Sequence, residues 1–431
     1  MLGLKQVTLL EATLFNMERH IFELLWPFFG FCQYLGLFPC KRSIDPISGA
    51  IQLRPIHWLR QLAFFLTIGM PLEVFGNMTI FIPSLLEGKG IEEMYKCLQS
   101  ANPAAGEESL LDWIALHAFM TFITMLFFLS IWGIFKVKKE LCQLSYFTRS
   151  RSTDKKIWKS FIVQSVMIFV YPISNPIMYF ELMKTCSSST SVAIRILVLL
   201  PNYFSVLVLL LPLLIFMAIT LEVLIGLIDF CEKLKQKIPK DDPATLFLEF
   251  NNLMKYLDQS KKILSPNYFF ITTILSVEVL LFSFIFLFHL VNKWNKMTTL
   301  MILMLVSNGF YLLMICSLLW FMNIWPERAT NKIYELKRHL KNLYISNETS
   351  KKMEFEGQLV PTLFVKARIE QELDEFRGFD GKGYFILGKS FLKNLLAFCV
   401  TYLVILIQFR LTEVPMSEDP DHDRINASIS K

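Results

Sequence analysis

The chain has 431 residues, of which 54% are hydrophobic and only 19% are charged, and its mean hydropathy is +0.45. Soluble domains usually contain about a quarter charged residues and less than half apolar ones, so this composition favours a chain whose solvent is lipid. The formal charge of +6 is small for the length. Composition and charge together argue against a disordered, collagen-like, disulfide-rich or nucleic-acid-binding protein.

The first 58 residues precede any stretch long enough to cross a membrane. Within them the apolar segment 21–39 contains Glu23, Pro27 and Gln33, and it lacks the basic start of a signal peptide. We predict that this segment forms a helix lying on the membrane surface, inside a cytosolic N-terminal region of residues 1–58.

Seven segments are long and apolar enough to cross the hydrocarbon core, which requires about 20 residues of helix. The sequence therefore predicts an all-α polytopic membrane protein with seven transmembrane helices. Spans 1 to 6 lie within residues 59–325, and span 7 follows a long polar connection. The seven segments are 61–83, 113–135, 160–183, 196–226, 267–291, 298–325 and 383–409.

The distribution of lysine and arginine indicates on which side of the membrane each loop lies. Residues 1–60, 136–159, 227–266 and 326–382 hold most of the 43 basic residues, and such loops normally face the cytosol. This distribution predicts a cytosolic N-terminus and an extracellular C-terminus, with residues 410–431 as an acidic extracellular tail.

The two longest cytosolic connections, 227–266 and 326–382, show apolar residues at spacings of three or four, which predicts helices. These helices either extend spans 4 and 6 below the membrane or lie on the lipid headgroups. The spacing alone leaves both possibilities open.

Two short motifs point to functions that their context does not support. Residues 175–179, with Asn175, Pro176 and Tyr179, match the NPxxY string of rhodopsin-like G-protein-coupled receptors, but they lie in span 3 of a chain whose predicted orientation is inverted. Residues 383–390 match the phosphate-loop pattern, yet their middle residues are bulky and apolar and lead directly into a membrane span. A G-protein-coupled receptor remains the alternative from another class.

The sequence contains no nucleophile elbow, no CxxC pair and no two histidines at helical spacing. We therefore expect no enzymatic activity, no cofactor and no metal site. Cys97 and Cys186 both fall on the predicted outer side, where they form either a disulfide or two free thiols. Asn426 begins a glycosylation sequon in the predicted outer tail.

Span 7 closes with Thr401 and Tyr402, five apolar residues, and then Gln408 and Phe409. This ending resembles the TY-(five apolar)-QF signature of insect gustatory receptors, within the insect chemoreceptor superfamily. Two further stretches are similar to family patterns, namely Gly383-Tyr384-Phe385 with Leu387, and Tyr34-Leu35-Gly36-Leu37-Phe38-Pro39 ahead of span 1.

The resemblance implies a ligand-gated, non-selective cation channel that detects small-molecule tastants. It implies a homo- or hetero-tetramer of chemoreceptor subunits in the plasma membrane of sensory neurons, with residues 326–382 as a cytosolic anchor between subunits and residues 383–409 as the pore-lining span. An olfactory member of the same superfamily is the nearest alternative. The sequence departs from the sugar-receptor group at Leu403, where that group usually has an acidic residue.

By position in the family motif, Ile405, Gln408 and Phe409 fall where the pore narrows. The residues Asn394, Ala397, Thr401, Ile405 and Gln408 recur at spacings of three or four, so they form one helix stripe with polar groups at intervals. Such a stripe suits a pore wall, although hydrogen bonds between helices would also explain it. Lys389 and Lys393 share the inner end of this helix, and we expect both to snorkel to the headgroups.

The resemblance also implies a ligand cavity within spans 1 to 6, in the outer halves of spans 2, 3, 4 and 6. Aromatic side chains with a few polar groups are what such a cavity requires. Glu278, near the middle of span 5, is a further functional candidate because charge within a membrane is costly. The pocket candidates are His117, Tyr171, Asn175, Tyr179, Asn202, Tyr203, Asn308 and Tyr311.

Overall fold

The computed structural model describes residues 26–44, 51–69, 71, 128–129, 131–144, 155–186, 192–237, 243–292, 299–350, 371 and 376–413. These residues are mostly helical, which confirms the predicted class of fold. The helices are α1 (Trp26–Tyr34), α2 (Trp58–Phe64, continued by one π-helical turn, Phe65–Gly69), α3 (Lys138–Leu144), α4 (Lys155–Cys186), α5 (Val192–Lys237), α6 (Pro243–Asn292), α7 (Thr299–Ser350) and α8 (Lys389–Glu413).

A small antiparallel hairpin, β1 (Cys40–Ile44) and β2 (Ile51–Pro55), interrupts the helices near the N-terminus. The all-α prediction did not anticipate it. Helix α1 ahead of the hairpin lies within the predicted surface segment, and its Phe29 and Cys32 are fully buried against the protein. Its opposite face keeps Tyr34 exposed, and contact of that face with lipid remains a prediction.

Helices α5, α6 and α7 are far longer than a membrane is thick. They contain 46, 50 and 52 residues, which corresponds to about 70–80 Å at the usual helical rise. The hydrocarbon core measures about 30 Å, so each of these helices continues well beyond any segment that lies in lipid. The apolar spacing therefore correctly indicated helix in the described residues 227–237, 243–266 and 326–350, whereas residues 376–382 form a loop.

Four of the described helices are long and apolar enough to cross a membrane, in the ranges Leu199–Gln236, Leu248–Leu287, Leu305–His339 and Lys389–Phe409. Helix α4 contributes a shorter apolar stretch, Phe161–Ser174. The segments 61–83 and 113–135 are described only in part, so a total of seven spans remains a prediction.

Helix α5 lies at the centre of the bundle. All of its residues from 210 to 227 are buried, including the polar Thr220 and Glu222, as expected for a helix that is apolar on every side. Helices α4, α6 and α7 surround it. Helix α8 packs on α6 and α7. Among the four helices that are long and apolar enough to cross a membrane, α8 is the most exposed and α5 the most buried.

Candidate functional site

A buried carboxylate lies among aromatic rings between α4, α6 and α7. Glu278 of α6 has no exposed surface, and its Oε2 accepts a hydrogen bond of 3.0 Å from the hydroxyl of Tyr311 on α7. The Tyr311 ring centroid lies 4.5 Å from that of Phe282 and 4.8 Å from that of Tyr171 on α4. We refer to Tyr171, Glu278, Phe282 and Tyr311 as the tyrosine–glutamate cluster.

Helical spacing explains why these side chains converge. Glu278 and Phe282 are four residues apart on α6 and therefore share one face. On α7, Ser307 lies one turn before Tyr311, and its hydroxyl is 2.9 Å from that of Ser174 on α4. The two helices thus meet along a stripe that combines aromatic rings with hydroxyl groups.

The second carboxylate oxygen of Glu278, Oε1, is buried and has no hydrogen-bond partner within the described structure. A buried polar atom without a partner costs free energy, so this oxygen is suited to accept a hydrogen bond from a donor group. A carboxylate bordered by aromatic rings has the composition of a small-molecule site.

The structure brings together only some of the predicted pocket residues. Tyr171 and Tyr311 are in contact, whereas Tyr203 of α5 is half-buried and donates to the carbonyl of Phe169 on α4 over 3.2 Å. Asn308 is half-buried on α7. The helices α4 and α5 contain Asn175, Tyr179 and Asn202, whose side chains are not described, and His117 lies outside the described residues.

Two members of the cluster were not assigned to a pocket from the sequence. Glu278 was identified as a charge within a span, but its pairing with Tyr311 joins two helices and has no local sequence signal. Phe282 is one of 40 phenylalanines, and only its place one turn after Glu278 distinguishes it.

The predicted pore stripe of α8 faces away from its own bundle. All five of its residues, Asn394, Ala397, Thr401, Ile405 and Gln408, are exposed. The opposite side packs inward, where Leu392 is buried and the Cys399 thiol lies 3.9 Å from the carbonyl of Ser276 on α6. Two members of the family motif, Tyr402 and Phe409, are also exposed, by 45% and 61% respectively.

Span 7 begins later than the sequence indicated. Residues 376–388, which we call the α8 approach loop, turn back on themselves, and the helix begins only at Lys389. The turn depends on backbone that glycine adopts readily, since φ is +114° at Gly378 and +80° at Gly383. Hydropathy placed the start at 383 because the loop is apolar, although it is not helical.

The phosphate-loop pattern in this segment does not form a phosphate site. The backbone N–H groups of Gly388 and Lys389 donate to Asn323 Oδ1 (3.3 Å) and Glu327 Oε2 (2.8 Å). A carboxylate of the protein thus occupies the position at the start of the helix that an anion would take. Lys389 Nζ also lies 3.8 Å from Glu327 Oε1, a partner that the expectation of snorkelling did not include.

The two cysteines considered for a disulfide and the predicted glycosylation site lie outside the described side chains. Cys97 and Asn426 lie outside the described residues, and Cys186 is the last residue of α4, with no described side chain. Two other thiols do approach each other, since Cys40 Sγ and Cys142 Sγ are 3.7 Å apart. The hydrogen bond to Cys142 and burial raise the pKa of the Cys40 thiol, which keeps it protonated.

No group of three or more histidine, cysteine or acidic side chains is arranged to hold a metal ion in the described part of the chain.

No family model and no curated protein matches the chain in sequence. Solved structures do match it in fold. The insect olfactory receptor OR5 from Machilis hrabei superposes with a TM-score of 0.59 at 9% identity, over 90% of this chain and 98% of that one. The same receptor in complex with eugenol gives a TM-score of 0.58 at 8% identity, over 88% and 97%. The chain therefore has the fold of an insect olfactory receptor, from the chemoreceptor superfamily whose gustatory branch its sequence motifs resemble.

Proposed function

We propose that the protein is a gustatory-type chemoreceptor that acts as a ligand-gated, non-selective cation channel in the plasma membrane of sensory neurons. Four subunits, identical or mixed, would surround a pore lined by α8. A small-molecule tastant bound within the helix bundle would favour the open form and shift the population toward it.

The observation that carries the proposal is the outward polar stripe of α8. Asn394 and Gln408 are exposed on a helix that is otherwise mostly apolar, and Thr401, whose hydroxyl donates to the carbonyl of Ala397, is exposed between them. Polar groups facing lipid are costly, so this face is suited to water or to another subunit. A pore at the axis of a tetramer supplies both environments.

The tyrosine–glutamate cluster is the proposed ligand site. Its rings supply apolar contact area and the free oxygen of Glu278 supplies one hydrogen-bond acceptor. The matched olfactory receptor has been solved in complex with eugenol, so a protein of this fold binds a small molecule.

The olfactory alternative has a specific observation in its favour, because the two structures reported above are of an olfactory receptor. The ending from Thr401 to Phe409 favours the gustatory branch. A G-protein-coupled receptor is not proposed, since the fold match extends over 90% of the chain.

Current recording tests the proposed function. Cells expressing the chain, alone and with other chemoreceptor subunits, are exposed to a panel of tastants and odorants of low molecular weight. We expect inward currents that reverse near 0 mV with sodium or potassium outside and that vanish when a large organic cation replaces them. Ligand responses that persist without any membrane current would contradict the channel proposal.

The ligand site is tested with the strongest agonist from that panel. Tyr311→Phe removes the hydroxyl that donates to Glu278 Oε2. Glu278→Gln replaces one of the two acceptor oxygens by an NH2 donor, so that Tyr311 and a ligand can no longer both find an acceptor. Each variant loses one hydrogen bond, worth about 0.5–1.5 kcal/mol, and we expect the half-maximal agonist concentration to rise about two- to tenfold. The control is Glu335→Gln, an exposed acid on α7 that pairs with Lys332, and an equal shift in this control would contradict the site.

A further inference from the structure

Ser265 of α6 fixes the turn of the α8 approach loop by hydrogen bonds, beside ring contacts between the loop and Phe269 of α6. The hydroxyl of Ser265 donates to Asp380 Oδ1 over 2.7 Å and accepts from the backbone N–H of Lys382 over 2.9 Å. Asp380 also accepts from the N–H of Gly383, at 3.1 Å. These bonds hold the turn of the loop against α6.

The end of the loop and the start of α8 are attached to α7. Asn323 accepts from Gly388, and Glu327 accepts from Lys389 at 2.8 Å while its other oxygen faces the ammonium group of the same lysine. A carboxylate at a helix N-terminus is favoured by the helix dipole, and a charge-assisted bond is about twice as strong as a neutral one. Glu327 therefore holds the first turn of α8 against α7 through a charge-assisted hydrogen bond.

Both attachments lie beside a proline within a long helix. Pro266 follows Ser265 in α6, and Pro326 precedes Glu327 in α7. Proline removes one hydrogen bond of the helix and crowds the preceding turn, which makes it the usual position of a bend. The loop is thus attached where α6 and α7 bend most easily.

Helix α7 also carries Tyr311 of the tyrosine–glutamate cluster. Tyr311 and Glu327 belong to one unbroken helix, roughly 24 Å apart along its axis at the usual rise. A rotation or bend of α7 at the cluster therefore moves the groups that hold the first turn of α8.

We propose that Asn323 and Glu327 are positioning residues that transmit movement of α7 to the pore helix. This inference rests on the proposed channel function and identifies the connection between ligand site and pore. Glu327 binds the first N–H group of α8, so a shift of α7 displaces the inner end of that helix directly.

The backbone donor can be removed without breaking the helix. Lys389 is the first residue of α8, a position where proline is well tolerated because its missing N–H has no partner within the helix. Lys389→Pro removes both the donor and the ammonium group, and the matched variant Lys389→Ala removes the ammonium group alone. Glu327→Ala removes the acceptor.

The first measurement is the Tm of the purified full-length variants and their double mutants. We expect Lys389→Pro to lower Tm by about 2 °C more than Lys389→Ala in the wild-type background. In the Glu327→Ala background this difference should vanish, because the acceptor is already absent. Additive effects would overturn the proposed attachment.

The second measurement is the spontaneous cation current at matched surface expression. We expect Glu327→Ala and Lys389→Pro to change the open probability in the same direction by about tenfold, with unitary conductance unchanged. The double mutant should change it no further. A purely structural role would lower Tm and leave the open probability unchanged.

The two proposals fail in different ways. If the wild-type protein conducts and Lys389→Pro gates like Lys389→Ala, the inference is wrong while the channel proposal stands. If no variant conducts, the channel proposal is wrong and with it the gating role, and the Tm cycle then reports only whether Glu327 holds α8.

Discussion

Gly36, in the stretch 34–39 that is similar to a family pattern, is a position that only glycine can occupy without strain. It lies between Leu35 and Leu37, which are buried, in a turn where its φ is +79°. A Cβ atom at this position would clash with the backbone nitrogen of Phe65. Glycine is therefore required both by the backbone conformation and by the closeness of the next helix.

Gly36→Ala should destabilise the N-terminal region by more than about 2 kcal/mol, because strain at positive φ adds to a clash with backbone that cannot move aside. The measurement is the Tm and the surface yield of the full-length protein. Gly30→Ala is the matched control, since its Cβ would find its nearest atom at 3.9 Å and alanine favours helix α1. A Gly36→Ala variant as stable as this control would contradict the geometry.

At the scale of the element, α8 differs from the other long helices in having little of its surface covered. Buried and exposed residues divide it lengthwise, with Leu392 and Cys399 on one side and Ile405 and Gln408 on the other. Its sequence resembles a membrane span on every side, and the contacts with α6 and α7 determine which side is left for the proposed pore. The gate assignment rests on the family motif, and this division leaves Ile405 and Gln408 on the uncovered side.

Substitution of Ile405 or Phe409 by serine should raise the spontaneous current about tenfold, as expected if each removes about 1.4 kcal/mol from the closed form of the proposed gate. Val400→Ser is the control. Val400 is 60% exposed and Phe409 61%, and the two lie on opposite sides of the helix at 100° per residue. An unchanged current in both gate variants, or an equal rise in the control, would count against the assignment.

For the whole molecule, the orientation in the membrane determines which end of the bundle faces the outside of the cell, where the proposed receptor would meet its ligand. Long basic connections and short outer loops predict that the N-terminus is cytosolic. The described helices fit that arrangement in length, yet helices of about 70–80 Å reach past the membrane in either orientation. Topology therefore requires its own measurement.

Two glycosylation sequons lie on opposite sides of the predicted topology. Asn426 belongs to the outer tail and Asn347 to the end of α7 on the cytosolic side. We expect a glycosidase-sensitive gel shift that Asn426→Gln abolishes and Asn347→Gln does not. The opposite result would invert the topology and remove the pore argument with it.

The sequence by itself indicated that the chain lies in lipid, that its fold is helical and that it resembles insect gustatory receptors. Apolar runs near 20 residues require lipid, and spacing of three or four residues requires helix, so both can be read locally. The same spacing identified the stripe from Asn394 to Gln408. The strands Cys40–Ile44 and Ile51–Pro55 were not predicted, because short strands with few alternating apolar residues give only a weak sequence pattern.

Only the tertiary structure decided which distant residues meet. Tyr311 binds Glu278 and Glu327 binds the start of α8 across helices separated by long stretches of chain, and no local pattern encodes such pairs. The start of span 7 was predicted at residue 383, whereas the helix begins at Lys389. Its first N–H groups bind acceptors on α7, and such contacts between helices have no local sequence pattern. Local sequence therefore specifies the helices, whereas side-chain hydrogen bonds between them specify the candidate site and the attachment of α8.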